Sequence, residues 1–504
     1  MRKGNLAYLL IAAFGVIVSV SITANSFWFD ESFTSFIIGY DYPEVIQRTS
    51  RDVHPPLYYL VLKLWSSLIG STDLPLRFLS VLCISGAALA VVRFAKNIAN
   101  TRWVALMTLF MVTGPFTVRY AQEARMYALA AFFTALATLV LYTTLRISRK
   151  QRPLSNYLIY GGLITASLYT HYFTFPIIFA HWLYVILIDT NYVFNLRSNW
   201  CKQLKTLIGS FDRGWLKANA FAAILFIGWL PIFVSQSLRV SSGFWIPPVD
   251  YKTIPSSMIE LLTFKGINSY DFIEPRVLAV IVGLFIVGFI WLFVKVDRRE
   301  KANLVLLLGP VLISITLLFV VSAMPKLSSV FHVRYLASLS VLFYAGLGYS
   351  VYLLSKKIAK PAAYVVGVGL LALMVYGSVT VLDGYGRDWN KSIQGIERLH
   401  QELQPGDALL AQTYWHFYDA RHYLDDEINL QTKIEGNFFG GDTLLVGRDD
   451  IILDNYSQID SSSGVVWFIG DSKDESFSEI PGNWKQFETI YNESNFRVTR
   501  FKIN

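Results

Sequence analysis

The sequence predicts a polytopic α-helical membrane protein that ends in an α/β domain. Three observations carry that reading. Hydrophobic residues make up 54% of the 504 positions and charged residues only 16%, against about 25% charged in an average soluble domain. The apolar residues gather into spans near the length that crosses a bilayer, about 20 residues. The charge is also divided: residues 1–382 hold 33 Lys and Arg against 15 Asp and Glu, and residues 383–504 hold 11 against 21. A basic membrane part is followed by an acidic polar tail. Divided in this way, the overall charge of +8 is no nucleic-acid signal. Disorder, a fibrous repeat and an ordinary soluble enzyme are excluded by the same composition. Cys83 lies in an apolar run and Cys201 in a basic loop, so no disulfide framework is expected.

Eleven apolar spans are read, at roughly 6–23, 74–92, 103–118, 127–145, 157–171, 174–189, 218–235, 277–294, 303–323, 335–354 and 361–382. They are too long for barrel strands, and exposed backbone is costly in lipid, so helix is the assignment. Aromatic residues rather than a small-residue cleavage site follow the first span, which is therefore read as retained. Lys and Arg concentrate on alternate connections: Arg2/Lys3, Arg93–Arg102, Arg146–Arg152, Arg197–Lys217, Lys295–Lys301 and Lys356–Lys360. Basic short loops stay cytoplasmic. The N-terminus is then expected inside, and an odd number of spans puts the tail outside, on an integral inner or plasma membrane protein.

Two outer connections are long, residues 24–73 and 236–276, and loops of that length are usually functional. Both contain short helical patterns, Asp41–Arg48 and Ser256–Phe264. The tail from 383 opens with a helical pattern at Asp388–Leu403, stopped by Gln404-Pro405-Gly406. Strand-like runs follow at Ala408–Gln412, Leu444–Val446, Gly464–Ile469 and Phe496–Ile503. Three N-x-S/T sequons begin at Asn390, Asn455 and Asn492.

The polar residues that break the apolar pattern cluster on the outer side. Asp30-Glu31 follows Phe27-Trp28-Phe29 at the end of the first span. An aromatic interface belt with an acidic helix stop accounts for it, and so does a carboxylate pair at the lipid boundary, where desolvation and repulsion raise one pKa into the range of a base. Asp52-Val53-His54-Pro55-Pro56-Leu57-Tyr58 presents His54 on a rigid backbone, where a new helix starts at Leu57. In Arg119-Tyr120-Ala121-Gln122-Glu123-Ala124-Arg125-Met126-Tyr127, helical spacing puts Tyr120, Glu123 and Tyr127 on one face. It also makes Arg119 and Glu123 an i,i+4 pair. Ionisable residues at membrane depth are functional candidates by default. His171-Tyr172 and Arg334-Tyr335 sit between spans, where interface packing and snorkelling are the plainer explanations. Arg77 is a weaker signal of the same kind. His181 and Trp182 are read as packing. Together these residues suit an anionic, lipid-borne substrate: phosphate wants Arg and helix N-termini, and sugar rings stack on Tyr and Trp.

The ordered set resembles the GT-C glycosyltransferases: Asp30-Glu31, His54-Pro55-Pro56-Leu57, Gln122-Glu123-Ala124-Arg125-Met126-Tyr127, His171-Tyr172, Trp245-Ile246-Pro247-Pro248, Arg334-Tyr335 and Asp388-Trp389. The nearest branch is the family 39 type, with the protein O-mannosyltransferases and aminoarabinose transferases, in its bacterial members. The resemblance covers about residues 6–420. It implies a GT-C-like transmembrane catalytic module over 1–382, a soluble extracytoplasmic domain over 383–504, and inverting transfer of a sugar from a polyprenyl-phosphate donor. Asp30 matches the catalytic aspartate, Glu31 its neighbour, and Glu123 a second acidic position. Arg125 and Arg334 would hold the carrier phosphate. His54, Tyr58, Tyr127, His171, Tyr172 and Tyr335 complete the substrate-binding set. His54 stands where the aminoarabinose branch carries lysine and agrees with the mannosyltransferases. The first loop has no tight Asp-x-Asp element, so no metal or other cofactor is assigned.

The reading is therefore a membrane glycosyltransferase acting on a hydroxyl of a lipid, glycan or protein acceptor, with Asp30 as base and no nucleic-acid partner. The rival is a transporter or flippase of anionic lipids. A transporter should show broken, repeated spans around the midplane, whereas the polar clusters here lie at one interface.

Overall fold

The computed structural model describes residues 5–22, 26–190, 200–242, 245–266, 275–325, 327–384, 392–425, 428–434, 441–471, 480–493 and 496–503. The chain forms two compact units. Met1–Val20, Ser80–Gln122 and Met126–Asp383 make the first; Ser21–Leu79, Glu123–Arg125 and Gly384–Asn504 make the second.

The apolar spans become helices, several of them broken. Asp73–Ala95, Tyr127–Arg146, Val333–Lys357 and Lys360–Leu382 are each long and apolar enough to cross a membrane. Two further candidates are bent pairs: Arg213–Ile227 with Leu230–Ser241, at 70°, and Arg298–Leu307 with Gly309–Ser322, at 59°. Gly228 and Pro231 flank the first bend and Gly309-Pro310 forms the second, residues that interrupt the helical hydrogen-bond ladder. Leu6–Ser21, Thr101–Val112 and Tyr172–Ile188 are shorter apolar helices. By length and hydropathy alone four to six spans qualify among the described residues, and the count of eleven read from the sequence includes these shorter segments.

Small residues let helices in the first unit approach closely. A Cβ on Gly161 would lie 2.6 Å from the Ala218 carbonyl oxygen, and one on Gly348 would lie 2.9 Å from Met107 Cα. The polar ends also meet. Arg152 donates to Asp189 (2.6 Å) and Asp212 (3.1 Å), and Tyr157 donates to Asp212 (2.7 Å). Arg298 donates to the Thr190 carbonyl (2.9 Å) and Lys356 to Glu300 (3.1 Å). These contacts link four of the six basic segments to one another. His181 is a packing residue as expected, with Thr138 Oγ1 and Tyr160 OH each 3.0 Å from its ring nitrogens.

One expected helix is corrected. The run Arg119–Tyr127 is not continuous: Pro115–Tyr120 is helical, the next helix begins at Tyr127, and Glu123–Arg125 joins the second unit. The backbone leaves the helix because the Ala124 amide donates to Glu31 Oε1 (2.8 Å) and not to a carbonyl one turn back. The shared helical face of Tyr120, Glu123 and Tyr127 therefore does not form.

The second unit combines three helices of the first long loop with the tail. Asp41 caps Tyr42–Arg51 by accepting the Glu44 amide (2.9 Å), with Pro43 in the first turn. Pro56 opens Leu57–Ile69, as its rigid backbone predicts. Among the described residues the tail contributes helices Ser392–Glu402 and Tyr414–Tyr423 and six strands: β1 Ala408–Ala411, β2 Leu430–Lys433, β3 Ile452–Leu453, β4 Val465–Gly470, β5 Trp484–Glu493 and β6 Phe496–Ile503. Their order is β3-β2-β1-β4-β6-β5. The first four are parallel and β6 and β5 close the edge antiparallel. Leu410, Val466, Phe468 and Phe501 pack with Tyr456 and Trp484 into one core.

Three of the expected strands form, as β1, β4 and β6. Leu444–Val446 does not: Gly441–Leu445 is a short 3₁₀ helix, and Arg48 takes the carbonyls of Leu444 and Val446 that a sheet would have paired. The edge strand β5 was not expected from sequence, because most of its side chains are exposed and it carries no apolar alternation. Asp388-Trp389 and Asn390 lie outside the described residues.

The Arg152 cluster predicts a measurable stability effect. Arg152 and Asp189 are 5% and 8% exposed, so Arg152→Ala should destabilise the detergent-solubilised protein by about 3 kcal/mol. A loss below about 0.5 kcal/mol in thermal unfolding would mark the cluster as an ordinary surface pair.

Candidate functional site

Helix Phe29–Ile38 carries Asp30 and Glu31 in its first turn. Successive positions on a helix point about 100° apart, so the two carboxylates part company at once. Glu31 turns inward and is 1% exposed, as is its partner Arg77. Arg77 Nε and Nη2 donate to the two Glu31 oxygens (2.7 and 2.6 Å). The remaining guanidinium donors reach the carbonyls of Ile22 (2.8 Å) and Ser26 (3.1 Å). With the Ala124 amide also on Oε1, both Glu31 oxygens accept buried hydrogen bonds.

Asp30 keeps its side chain 17% exposed, with Arg125 Nη2 3.8 Å from Oδ2. Arg125 itself is 3% exposed; its Nη1 donates to the Asp30 carbonyl (3.0 Å) and to Thr34 Oγ1 (3.0 Å). A partly accessible carboxylate thus stands beside a buried, positioned cation. Nearby in the same unit, His54 Nδ1 lies 2.9 Å from Asp52 Oδ2. Tyr58 is buried, with its ring 5.6 Å from that of Tyr59, and Glu123 is buried too. The structure therefore gathers Asp30, Glu31, His54, Tyr58, Glu123 and Arg125 into one unit.

The other expected residues belong to the first unit. The His171 ring lies 5.1 Å from Tyr127 and 5.8 Å from Tyr335, and Tyr335 stacks on Phe173 at 4.1 Å. His171 Nδ1 is 3.2 Å from Ser338 Oγ. Tyr172 leaves this aromatic group: its hydroxyl donates to Gln236 Oε1 (2.6 Å) and accepts from Trp229 Nε1 (2.7 Å). The Arg334 guanidinium lies 5.4 Å from the Trp245 ring centroid, a cation–π contact. Among the described residues no cluster of three His, Cys, Asp or Glu side chains could hold a metal ion.

Sequence reasoning undervalued Arg77 and did not single out Thr34. Arg77 lies one turn into a hydrophobic helix, and a buried cation needs a partner; that was the available signal. Thr34, one turn after Asp30, carries none.

Two predictions follow from this geometry. Glu31→Gln strips the carboxylate from a buried Arg77 and should destabilise the protein by about 3 kcal/mol or more, whereas Asp30→Asn should leave the thermal midpoint nearly unchanged. Equal midpoints for both variants would refute the division of labour. The second concerns Glu260 in helix Thr253–Thr263. Burial pushes its carboxyl up to about 7 from the ordinary 4.5, against the opposing field of Arg334. A raised folded pKa stabilises where the folded state holds the extra proton. That contribution is complete below about 4.5 and lost as pH rises towards 7. Thermal midpoints measured from pH 4 to 8 should fall across that window, and Glu260→Gln should flatten the fall; parallel curves would reject the assignment.

Comparison with known proteins gives the same fold. Residues 53–209 match the family model described as dolichyl-phosphate-mannose–protein mannosyltransferase. No curated protein sequence matches the chain significantly. Among solved structures, ArnT from Cupriavidus metallidurans bound to undecaprenyl phosphate superposes with a TM-score of 0.59 at 11% identity, covering 98% of this chain and 97% of ArnT. The same protein in the apo state gives a TM-score of 0.56 at 10% identity, with the same coverage. Apolar helices, family model and fold agree: the chain is an integral membrane protein with the GT-C fold of membrane glycosyltransferases.

Proposed function

We propose that the protein transfers a sugar from a polyprenyl-phosphate donor to an acceptor hydroxyl, with inversion, on the extracytoplasmic face of the cell membrane. The mannosyltransferase match and the likeness to ArnT, solved with undecaprenyl phosphate, support the donor class. The charge bias of the loops supports an N-terminus inside, residues 1–382 as the transmembrane catalytic module, and residues 383–504 as the extracytoplasmic domain.

One observation carries the mechanism: of the two adjacent carboxylates, only Asp30 is left accessible, beside Arg125. Asp30 takes the proton of the acceptor hydroxyl. The acceptor oxygen bonds to the anomeric carbon from the face opposite the phosphate. The anomeric C–O bond breaks, its electron pair leaves with the polyprenyl phosphate, and Arg125 compensates that charge. Arg334 is proposed as a donor contact on the sequence resemblance, and Tyr127, His171, Tyr172 and Tyr335 as substrate contacts on the same basis. Glu31 acts by holding the helix that presents Asp30.

Asp30→Asn keeps shape and removes the proton acceptor. With mannosyl- or aminoarabinosyl-phosphoryl undecaprenol in detergent, turnover should fall by roughly 10²–10⁴-fold, with donor affinity nearly unchanged. Wild-type turnover in this variant would dismiss Asp30 as the base. Absence of glycosyl product from the wild type with either donor would count against the enzyme and for a lipid transporter.

A further inference from the structure

The helix that carries Asp30 is gripped from outside by the tail. Trp28 at its N-cap supplies no capping side-chain hydrogen bond, so the entry of the chain into the helix is fixed by other groups. Tyr423 OH accepts the Phe27 amide (2.6 Å) and donates to Asp73 Oδ2 (2.9 Å). His422, the residue before it, has Nε2 2.7 Å from Asp73 Oδ1 and Nδ1 2.8 Å from Ser35 Oγ. A neutral ring protonated at Nε2 satisfies both contacts, donating to the carboxylate and accepting from the hydroxyl. The His422 ring also stacks on Phe27 at 4.3 Å, with an interplanar angle of 9°. Arg77, one turn after Asp73 on the same helix, places its guanidinium 4.7 Å from the Phe27 ring centroid.

The contact continues along the helices. Phe29, Phe33 and Phe36 repeat at spacings of four and three, one helical stripe, and meet Tyr414, Tyr418 and Phe417 at centroid distances of 5.1–6.2 Å. Phe27 and Ser35 therefore bracket Asp30 in sequence, and both are held by the last turn of one tail helix.

We propose that His422 and Tyr423 are positioning residues for Asp30: the tail holds the base in register for proton abstraction, and the two residues touch no substrate. This rests on Asp30 being the base. Misplacing a reacting group by about 1 Å can cost on the order of 100-fold in rate. His422→Ala and Tyr423→Phe, in the full-length protein, should each lower turnover by about ten- to hundredfold, with the apparent KM for the polyprenyl-phosphate donor within about twofold of wild type. His422→Gln offers an amide donor towards Asp73 and a carbonyl acceptor towards Ser35, and should recover most of the loss. In Tyr423→Phe, hydrogen exchange at the Phe27 amide should quicken without any substrate present.

Unchanged exchange at Phe27, or faster exchange with unchanged turnover, overturns the proposal. So does an equal loss in His422→Ala and His422→Gln accompanied by a lowered thermal midpoint, which would mark a purely structural contact. If Asp30→Asn lowers turnover as expected while His422→Ala leaves it at the wild-type rate, positioning alone fails. If Asp30→Asn turns over normally, the identity of the base fails first and this proposal with it.

Discussion

Glu31 and Arg77 are 46 residues apart in the chain and meet as a bidentate ion pair with almost no solvent access. Two buried charges are tolerable only when paired and fully hydrogen-bonded. That requirement organises everything around them. The guanidinium donors not used by Glu31 collect the carbonyls of Ile22 and Ser26, and the carboxylate collects the Ala124 amide. Three separate stretches of chain are thereby tied at one point. Asp30 is presented because Glu31 is anchored, and Arg125 is presented because Ala124 is anchored beside it.

This arrangement resolves an apparent redundancy. Adjacent carboxylates in water are near-equivalent, and at a lipid boundary they repel. On a helix they diverge, and the tertiary structure gives each a different environment: one neutralised and buried, the other partly open with a cation 3.8 Å away. The proposed general base needs access to the proton it would remove, and a carboxylate proposed to hold the helix needs the opposite.

The tail takes part in the same construction. It is a small sheet with its own core, yet its helix Tyr414–Tyr423 packs on the aromatic stripe of Phe29–Ile38 and hydrogen-bonds both sides of Asp30. Arg48 and Arg448 add contacts of the same kind, to the carbonyl of Val446 (3.4 Å) and to Tyr40 OH (2.9 Å). The long first loop is therefore ordered by packing against the tail, consistent with the absence of any Gly- or Ser-rich linker character in its sequence.

What the sequence determined by itself is what depends on local composition and period. Apolar spans, basic loop ends, the helical pattern at Asp41–Arg48, the Pro55-Pro56 helix start and the strands at Ala408, Val465 and Phe496 all follow from residues within a few positions of each other. The residues of the candidate site were legible too, because ionisable groups stand out against an apolar background. Their grouping was not. Helical spacing put Tyr120, Glu123 and Tyr127 on one face, but the demand of a distant carboxylate for the Ala124 amide outweighed local propensity and broke the helix. Leu444–Val446 reads as a strand, but Arg48, almost 400 residues earlier, claims its carbonyls. Only the tertiary structure decided which carboxylate is buried, which arginine neutralises it, and which tail residues hold the helix between them. Those outcomes turn on the pairing of buried polar groups across long separations, and no local pattern records a partner that far away.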